Sequence, residues 1–465
     1  MSDNYNREDL DEEVNKVMED NTEQDLSTVN DSELTTDTEA DNNKGEKEKA
    51  AKNKKEPKPK KEKKPKTKEC KKSDKQASTE ETSGEVIEES TAGEDIKTKV
   101  KDKRLKRKER RDKKKMEILD SSLYPEYEKF CLCHPQGCFT QSTRWYGVKN
   151  NWQHEVVVSR SAEGAIVGGI SVLIQRVPLV GTSFLYAPRG PVCDLHDRAV
   201  LSDLMEGINA LAKKYKAHDF KMDPDIPASD EEFLKIMDEM GFERKFGPTG
   251  FETIQCRFNY RLYLDGRTED EVFMALTQKC RYNIRVAMKH GVEIKVVGKE
   301  YLDEFMRIMK TTGERDGFNI RPKEYFERML DSLGEHCRLY MGFYQGQAVC
   351  GTITTNYAGK CDYVYGASDN AFRNVMPNYL IQWEMIKWAI ETGCTVYDFQ
   401  GISGDTENEN DHLYGLYRFK RGFNGQIDEL PGEFDIIYRP LSMKMVKHAT
   451  KLNSKLNKLK KKLKK

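Results

Sequence analysis

No apolar run in this 465-residue chain approaches the roughly 20 residues needed to cross a bilayer; the most apolar stretch, Ala165–Ile174, has strand length. A spanning helix is therefore not expected. The first 20 residues are acidic and polar and do not resemble a signal peptide. The 11 cysteines scatter through candidate core segments without the spacing of a disulfide framework, which fits a reducing, cytoplasmic setting. There is no P-loop, no dinucleotide fingerprint and no H-E-x-x-H, so those three chemistries lose their signatures. Cys131, Cys133, His134 and Cys138 are ligand-type residues, but no second matching pair accompanies them, and a structural zinc takes four well-placed ligands. No metal and no cofactor is expected.

What is present is unevenly placed. Lys+Arg and Asp+Glu both number 78, so formal charge cancels. Residues 1–45 nevertheless hold 15 Asp/Glu against 3 Lys/Arg, and residues 101–115 hold 11 Lys/Arg against 3 Asp/Glu. The last 22 residues hold 10 Lys and no acid. Up to Lys115 few aromatic or branched apolar residues offset chain entropy, so 1–115 is expected to be a disordered, acidic-then-basic tail. The rest is long enough to bury sizeable cores.

Beyond Ile118 strand and helix periods alternate. Strand-like His154–Ser159, Ala165–Gln175 and Ser183–Ala187 lead into the Pro/Gly loop PRGPVCD. A helix over Asp197–Lys214 carries Leu201, Leu204, Met205, Ile208, Leu211 and Ala212 at helical spacing, and Asp219–Met222 returns as a strand. The order recurs roughly 180 residues later: strands Arg338–Tyr344, Ala348–Thr355 and Cys361–Gly366, a loop, a helix over Tyr379–Thr392, and a strand Cys394–Phe399. HDFKMDPDI aligns with VYDFQGIS at the last strand of each. The expected fold is two similar α/β units in tandem, 116–267 and 268–440, with a basic C-terminal helix over 441–465. Thr268–Gly291 reads as a helix with Val272, Leu276, Ile284 and Met288 toward a core, and Lys279, Arg281, Arg285 and Lys289 elsewhere. Tyr301–Thr312 reads as another helix, and RDGFNIRPKEYFERML as a Gly loop followed by Pro at a helix start.

The segment Tyr397–Phe423 carries the most chemistry. It begins as a buried strand, turns polar and Gly-rich, and ends in Tyr414, Tyr417, Arg418, Phe419, Lys420 and Arg421. Strand, glycine loop and clustered cations fit the edge of a site for a large anionic or polar substrate. A solvated loop followed by an ordinary strand is the plainer alternative.

Five segments in order carry a family resemblance: FTQSTRWYGVKNNW (Phe139–Trp152), YAPRGPVCD (Tyr186–Asp194), QKCRYNIRVAMKHGV (Gln278–Val292), TGERDGF (Thr312–Phe318), and YDFQGISGD with LYGLYRFKRGF. Together they resemble the Fem-type peptidoglycan bridge aminoacyltransferases over residues 120–440. The resemblance implies two tandem acetyltransferase-like (GNAT-like) domains, in line with the repeat. It also implies transfer of an amino acid from aminoacyl-tRNA to the stem peptide of a peptidoglycan precursor, lipid II or UDP-MurNAc-pentapeptide. No sustained heptad run is present, so the coiled-coil arm of some members is not expected. An acetyl-CoA loop normally reads Q/R-x-x-G-x-G/A before a helix, whereas FRNVMPNYL (Phe372–Leu380) lacks those glycines. Backbone N–H groups of such a loop cradle pyrophosphate, so acetyl-CoA is not the expected donor.

The same resemblance singles out residues. Lys149 lies between Trp145 and Trp152 and matches a lysine that serves the precursor's phosphates; the tryptophans are expected to be structural. Tyr186, Arg189 and Asp194 match the border of the precursor pocket, where loops at strand ends collect polar groups; for Tyr186 a plain core aromatic is the alternative. Lys279, Arg281 and Arg285 share one helix, and the planar fork of arginine suits phosphate oxygens; a solvated cationic face is the alternative. Phe419-Lys420 matches a Phe-Lys pair near the tRNA acceptor end. Lys420 is the candidate for stabilising the tetrahedral oxyanion, with Phe419 packing near the donor; a strand lysine that touches tRNA phosphate only is the alternative. No general base stands out. A competing reading is a nucleic-acid-binding protein without chemistry that uses the basic linker and tail, but it accounts only for the tails. Leu452, Leu456, Leu459 and Leu463 form an apolar stripe among lysines, which suits peripheral contact with an anionic inner membrane face; a solvated or tRNA-contacting tail is the alternative.

Overall fold

The chain's structure, a computed structural model, describes residues 115–450 except His412. The expectations for the acidic-then-basic tail up to residue 114 and for the leucine stripe beyond 450 lie outside the described residues.

Two sheets organise the fold. The elements of the first are β1 (Lys115–Ile118), α1 (Tyr124–Cys133), α2 (Trp145–Val148), β2 (Gln153–Arg160), β3 (Ile166–Val177), β4 (Thr182–Ala187), β5 (Val192–Cys193), α3 (Arg198–Lys214), β6 (Ala217–Met222), α4 (Glu231–Glu239) and β7 (Glu243–Lys245). Those of the second are β8 (Phe258–Tyr263), α5 (Glu269–Ala275), α6 (Gln278–His290), β9 (Glu293–Val297), α7 (Leu302–Asp316), α8 (Lys323–Leu333), β10 (Cys337–Tyr344), β11 (Gln347–Tyr357), β12 (Lys360–Ser368), α9 (Pro377–Glu391), β13 (Val396–Gly401), α10 (Tyr414–Arg421) and β14 (Gln426–Glu429). β15 (Glu433–Ile437) returns to the first sheet, and residues 440–450 are helical.

Local chemistry accounts for the helices. Asp197 caps α3 by accepting from Ala199 N and Val200 N, and Val200, Leu201, Leu204, Ile208 and Leu211 form its buried stripe. Gly207 lets that helix settle on β2, because a Cβ there would lie 2.2 Å from Val157 Cγ1. The stretch expected as one helix, Thr268–Gly291, is two. A capping box, Thr268 with Glu271, starts α5; Leu276 and Thr277 are extended, and the Thr277 side chain caps α6 at Cys280 N. The break rotates the buried face to Cys280, Asn283, Ile284 and Ala287, so Met288, expected inside, is 49% exposed.

The repeat is real at the level of topology. The first sheet runs β1-β2-β3-β4-β6-β15-β7, with β5 on β3; the second runs β14-β8-β13-β12-β11-β10-β9. In each, an antiparallel meander ends in one parallel pair, β4 with β6 and β12 with β13, joined through a helix. These are two GNAT-like α/β domains in tandem. The sheets do not part at 267/268, however. β8, which precedes that boundary, pairs with β13 and β14, while β15, near the end of the second stretch, pairs with β6 and β7. Each sheet is completed by a strand from outside its own stretch of chain. One hydrophobic cluster also spans both halves, with Trp145, Trp152 and Tyr186 packed in the same core as Phe305, Tyr325, Phe326 and Tyr365. The halves therefore share a core and exchange strands, unlike domains that meet across a polar interface.

Candidate active site

A cleft of about 690 Å³, counting its open mouth, opens over that shared core. The first half supplies Phe139, Thr140, Trp145, Lys149, Leu173, Tyr186 and Pro188; the second supplies Arg321, Tyr325, Val364, Tyr365 and Gln400; Ile254 and Gln255 come from the segment between β7 and β8. Apolar walls with a few convergent polar groups are the usual build of a small-molecule site.

Two cations face this cleft from opposite halves. Lys149 closes α2, and its Nζ lies 5.5 Å from the ring centroids of both Trp145 and Tyr325. The Arg321 guanidinium lies 5.4 Å from the same Tyr325 ring, on the approach to α8. Tyr325 is thus shared by both cations, and its hydroxyl accepts from Tyr365 Oη at 3.2 Å. Among the described residues, no carboxylate lines the cleft. Burial keeps the Tyr325 hydroxyl protonated, its pKa well above the ordinary value. The described residues that line the cleft thus add no negative charge beside the two cations, a lining that suits an anion.

Carboxylates stand one residue behind the wall. Tyr186 Oη donates to Asp223 Oδ2 at 2.6 Å and accepts from Gln255 Nε2 at 3.2 Å. Burial pushes the Asp223 carboxyl up to about 6, against the pull of Arg189. Arg189 N donates to Asp223 Oδ1 at 2.6 Å, and its guanidinium donates to Cys256 O at 2.9 Å, which fixes the PRGPVCD loop. Across the cleft, Gln400 Nε2 donates to Asp362 Oδ1 at 2.8 Å and Gln400 N donates to Asp398 Oδ1 at 2.6 Å. Below them Arg261 donates to Asp398 at 2.7 Å and to Asp225 at 2.8 Å, and Lys360 reaches Asp225 at 3.2 Å. Burial pushes Asp225 up, but Arg261 and Lys360 outweigh it and hold the carboxyl well below the usual range. Asp225 belongs to the first half and Arg261 to the second sheet, so this buried ion network ties the halves under the cleft.

The site residues expected from sequence divide by position. Lys149 and Tyr186 line the cleft, and Arg189 orders its rim. Asp194 does not reach it: its side chain is 72% exposed and accepts from His196 N. Lys279, Arg281 and Arg285 do not line it either. Arg281 Nη1 donates to Met274 O at 2.7 Å and also to Leu276 O, which satisfies the end of α5; Arg285 stacks on Phe273 at 5.2 Å; Lys279 is exposed. The Phe419–Lys420 pair lies on a helix, α10, not a strand, and is buried. Phe419 packs edge-on against Tyr379 at 5.0 Å, and Lys420 Nζ donates to Gly401 O at 2.7 Å. Gly401 follows Gln400, so one peptide separates this lysine's anchor from the cleft wall. A Cβ on Gly401 would lie 2.2 Å from Cys256 Sγ, so glycine is what lets the strand lie there. Trp145 and Trp152 are buried, as expected of structural tryptophans, but Trp145 also lines the cleft.

Sequence reading passed over Arg321, Tyr325, Tyr365, Gln255 and Gln400. Arg321 directly precedes the helix-starting Pro322, a visible position with no sign of what it faces. Gln400 lies inside the segment that aligns between the repeats, and there a signal was present.

Comparisons agree with this layout. The sequence pattern of the FemAB family matches residues 114–345 and 343–451. A lipid II:glycine glycyltransferase of Staphylococcus epidermidis is 29% identical over 408 residues, which cover 73% of this chain and 97% of the relative. One of Staphylococcus aureus is 28% identical over 391 residues, covering 68% and 92%. The crystal structure of FemX superposes with a TM-score of 0.67 at 25% identity, covering 71% of this chain and 99% of that one. With the family pattern spanning both halves, the chain belongs to the FemAB family.

Proposed function

We propose that the protein moves an amino acid from aminoacyl-tRNA to the free amine of a peptidoglycan stem peptide, with the precursor's pyrophosphate held between Lys149 and Arg321. The relatives' names carry the transferase activity; the donor, the acceptor and the residue roles are proposed here. The observation that carries it is the cleft: two cations on opposite walls, aromatic surfaces beside them, and no acid among the described lining residues. A phosphate-bearing ligand suits that pattern, and arginine gives it a planar two-point contact. Because each cation comes from a different half, the site needs both domains. The relatives' names specify glycine and lipid II, so glycyl-tRNA and lipid-linked precursor are the first pair to test.

In the reaction the acceptor nitrogen attacks the ester carbonyl carbon and the carbonyl electron pair moves onto oxygen. The tetrahedral adduct then releases the ribose oxygen, which takes up the proton the nitrogen loses. A fixed ammonium in a water-poor surround stabilises the oxyanion; Lys420, fully buried and donating to Gly401 O beside the cleft wall, is assigned that part. The test is acceptor kinetics. Lys149→Ala and Arg321→Ala are expected to raise KM for a phosphate-bearing precursor about 10- to 100-fold, the scale of a lost charge-assisted contact. Both should leave transfer to a phosphate-free stem peptide nearly unchanged. Equal losses on both acceptors would remove the pyrophosphate assignment.

A further inference from the structure

Gln400 has a left-handed backbone, φ 63°, although it is not glycine. It stands where the second sheet opens. Parallel pairing of β12 with β13 runs only from Lys360–Val396 to Asp362–Asp398, and the register of β13 against β8 slips between Asp398 and Gly401. Asp398 holds this bulge by accepting the Gln400 N–H. The side chain is held as well. Its Nε2 donates to Asp362, whose other oxygen accepts from Thr355 Oγ1 at 3.4 Å. An ionised carboxylate only accepts, so it fixes which end of the carboxamide faces it. Nε2 is thereby committed to Asp362, which leaves Oε1 as the end of the carboxamide available to the cleft that Gln400 lines. The next carbonyl, Gly401 O, anchors Lys420. A cleft-lining acceptor and the anchor of the lysine assigned to the oxyanion thus stand on adjacent residues, Gln400 and Gly401.

Attack on an ester needs an amine whose lone pair points at the carbonyl carbon and whose N–H bonds point elsewhere. We propose that Gln400 Oε1 receives an N–H of the acceptor's primary amine and so orients it, selecting amine-bearing acceptors, with Asp362 as the residue that positions Gln400. This rests on the transferase reading above. It involves no covalent step of its own: Gln400 accepts a hydrogen bond, and the proton leaves with the ribose oxygen as before.

The test compares two pyrophosphate-bearing stem-peptide analogues of equal length, one ending in the primary amine and one with methyl in its place. It is run at pH 8. Burial and Asp398 push the Asp362 carboxyl up to about 7, against Lys360 and Arg261, so there it is ionised. The wild type is expected to bind the amine analogue about tenfold or more tighter. Gln400→Met should bring the two analogues within about twofold without weakening the methyl analogue. Asp362→Asn, which lets the carboxamide turn, should narrow the ratio too. A general packing defect would weaken both analogues and leave their ratio alone, and a melting curve on each variant confirms folding. A wild-type ratio retained in either variant overturns the inference and leaves the transferase reading standing. A wild type that binds neither analogue overturns both.

Discussion

The two halves place an aspartate at the same point of the same strand and treat it differently. In the first, Asp219 lies opposite Phe184 in the parallel pair β4–β6; in the second, Asp398 lies opposite Asp362 in β12–β13. Phe184 stacks on Tyr186 and packs against Trp152, and pairing continues on to Ala187–Met222. A carboxyl in place of that ring puts two acids side by side in the second sheet. Arg261, Asn259, Lys360 and Gln400 then gather around them, and the strands part. One half keeps a closed sheet and contributes Lys149 and Tyr186 from its loops and strand ends. The other opens its sheet at a charged bulge, next to Lys420. The same topology thus gives a continuous sheet in one half and an opened, charged edge in the other, and a single register position marks the difference.

The largest expected effect strikes the charged side of that comparison. Arg261→Met leaves Asp225, Asp398 and Asp428 without the guanidinium they share, and breaking a buried pair in this way costs about 3–5 kcal/mol. Denaturant melts should show it; a variant within about 1 kcal/mol of wild type would mean the network does not hold the halves together. Next is Lys420→Ala, which should lower turnover by about 10²- to 10³-fold while acceptor affinity holds, the cost of losing one oxyanion donor. Normal turnover with weakened tRNA binding would move Lys420 to the donor's phosphates instead.

The smallest effect concerns the closed sheet. Burial and Asp435 push the Asp219 carboxyl up to about 7, with His218 Nε2 3.0 Å away and kept neutral by its own burial. A carboxyl raised in the folded state binds more protons there than in the unfolded chain. Its contribution is full near pH 4 and is lost as pH rises through about 7. Asp219→Asn should therefore gain on wild type between pH 4 and pH 8, by up to a few kcal/mol, read as a pH series of melting points. An unchanged difference across the series would place the titration elsewhere.

Much of the fold was legible because it is local. His154–Ser159 was expected and Gln153–Arg160 is found; the apolar stripe over 197–214 is α3 almost to the residue. The recurring order exposed the tandem design. The strand exchange was hidden, since nothing in FNYRLY or EFDII states which distant sheet will take it. The break at Thr277 was visible only as a threonine before a polar run. In the site, Lys149 and Tyr186 were found through a motif, whereas Arg321 meets them only when α8 packs beside α2. The cationic face of α6 attracted attention because arginines on a helix look available; here Arg281 closes the end of α5 and Arg285 covers Phe273. At Gln400 the aligned segment gave a signal, but the bend itself was hidden: a left-handed bend usually announces itself with glycine, and here glutamine takes it.

Transfer itself is the decisive measurement. Purified protein is mixed with glycyl-tRNA labelled in its amino acid and with lipid-linked precursor, and the label is followed into the precursor. The account predicts label on the stem-peptide amine with the wild type, and its near-complete loss when Lys149 and Arg321 are both replaced by alanine. No label in the precursor with any charged tRNA, from protein that is folded and binds the precursor, would contradict it.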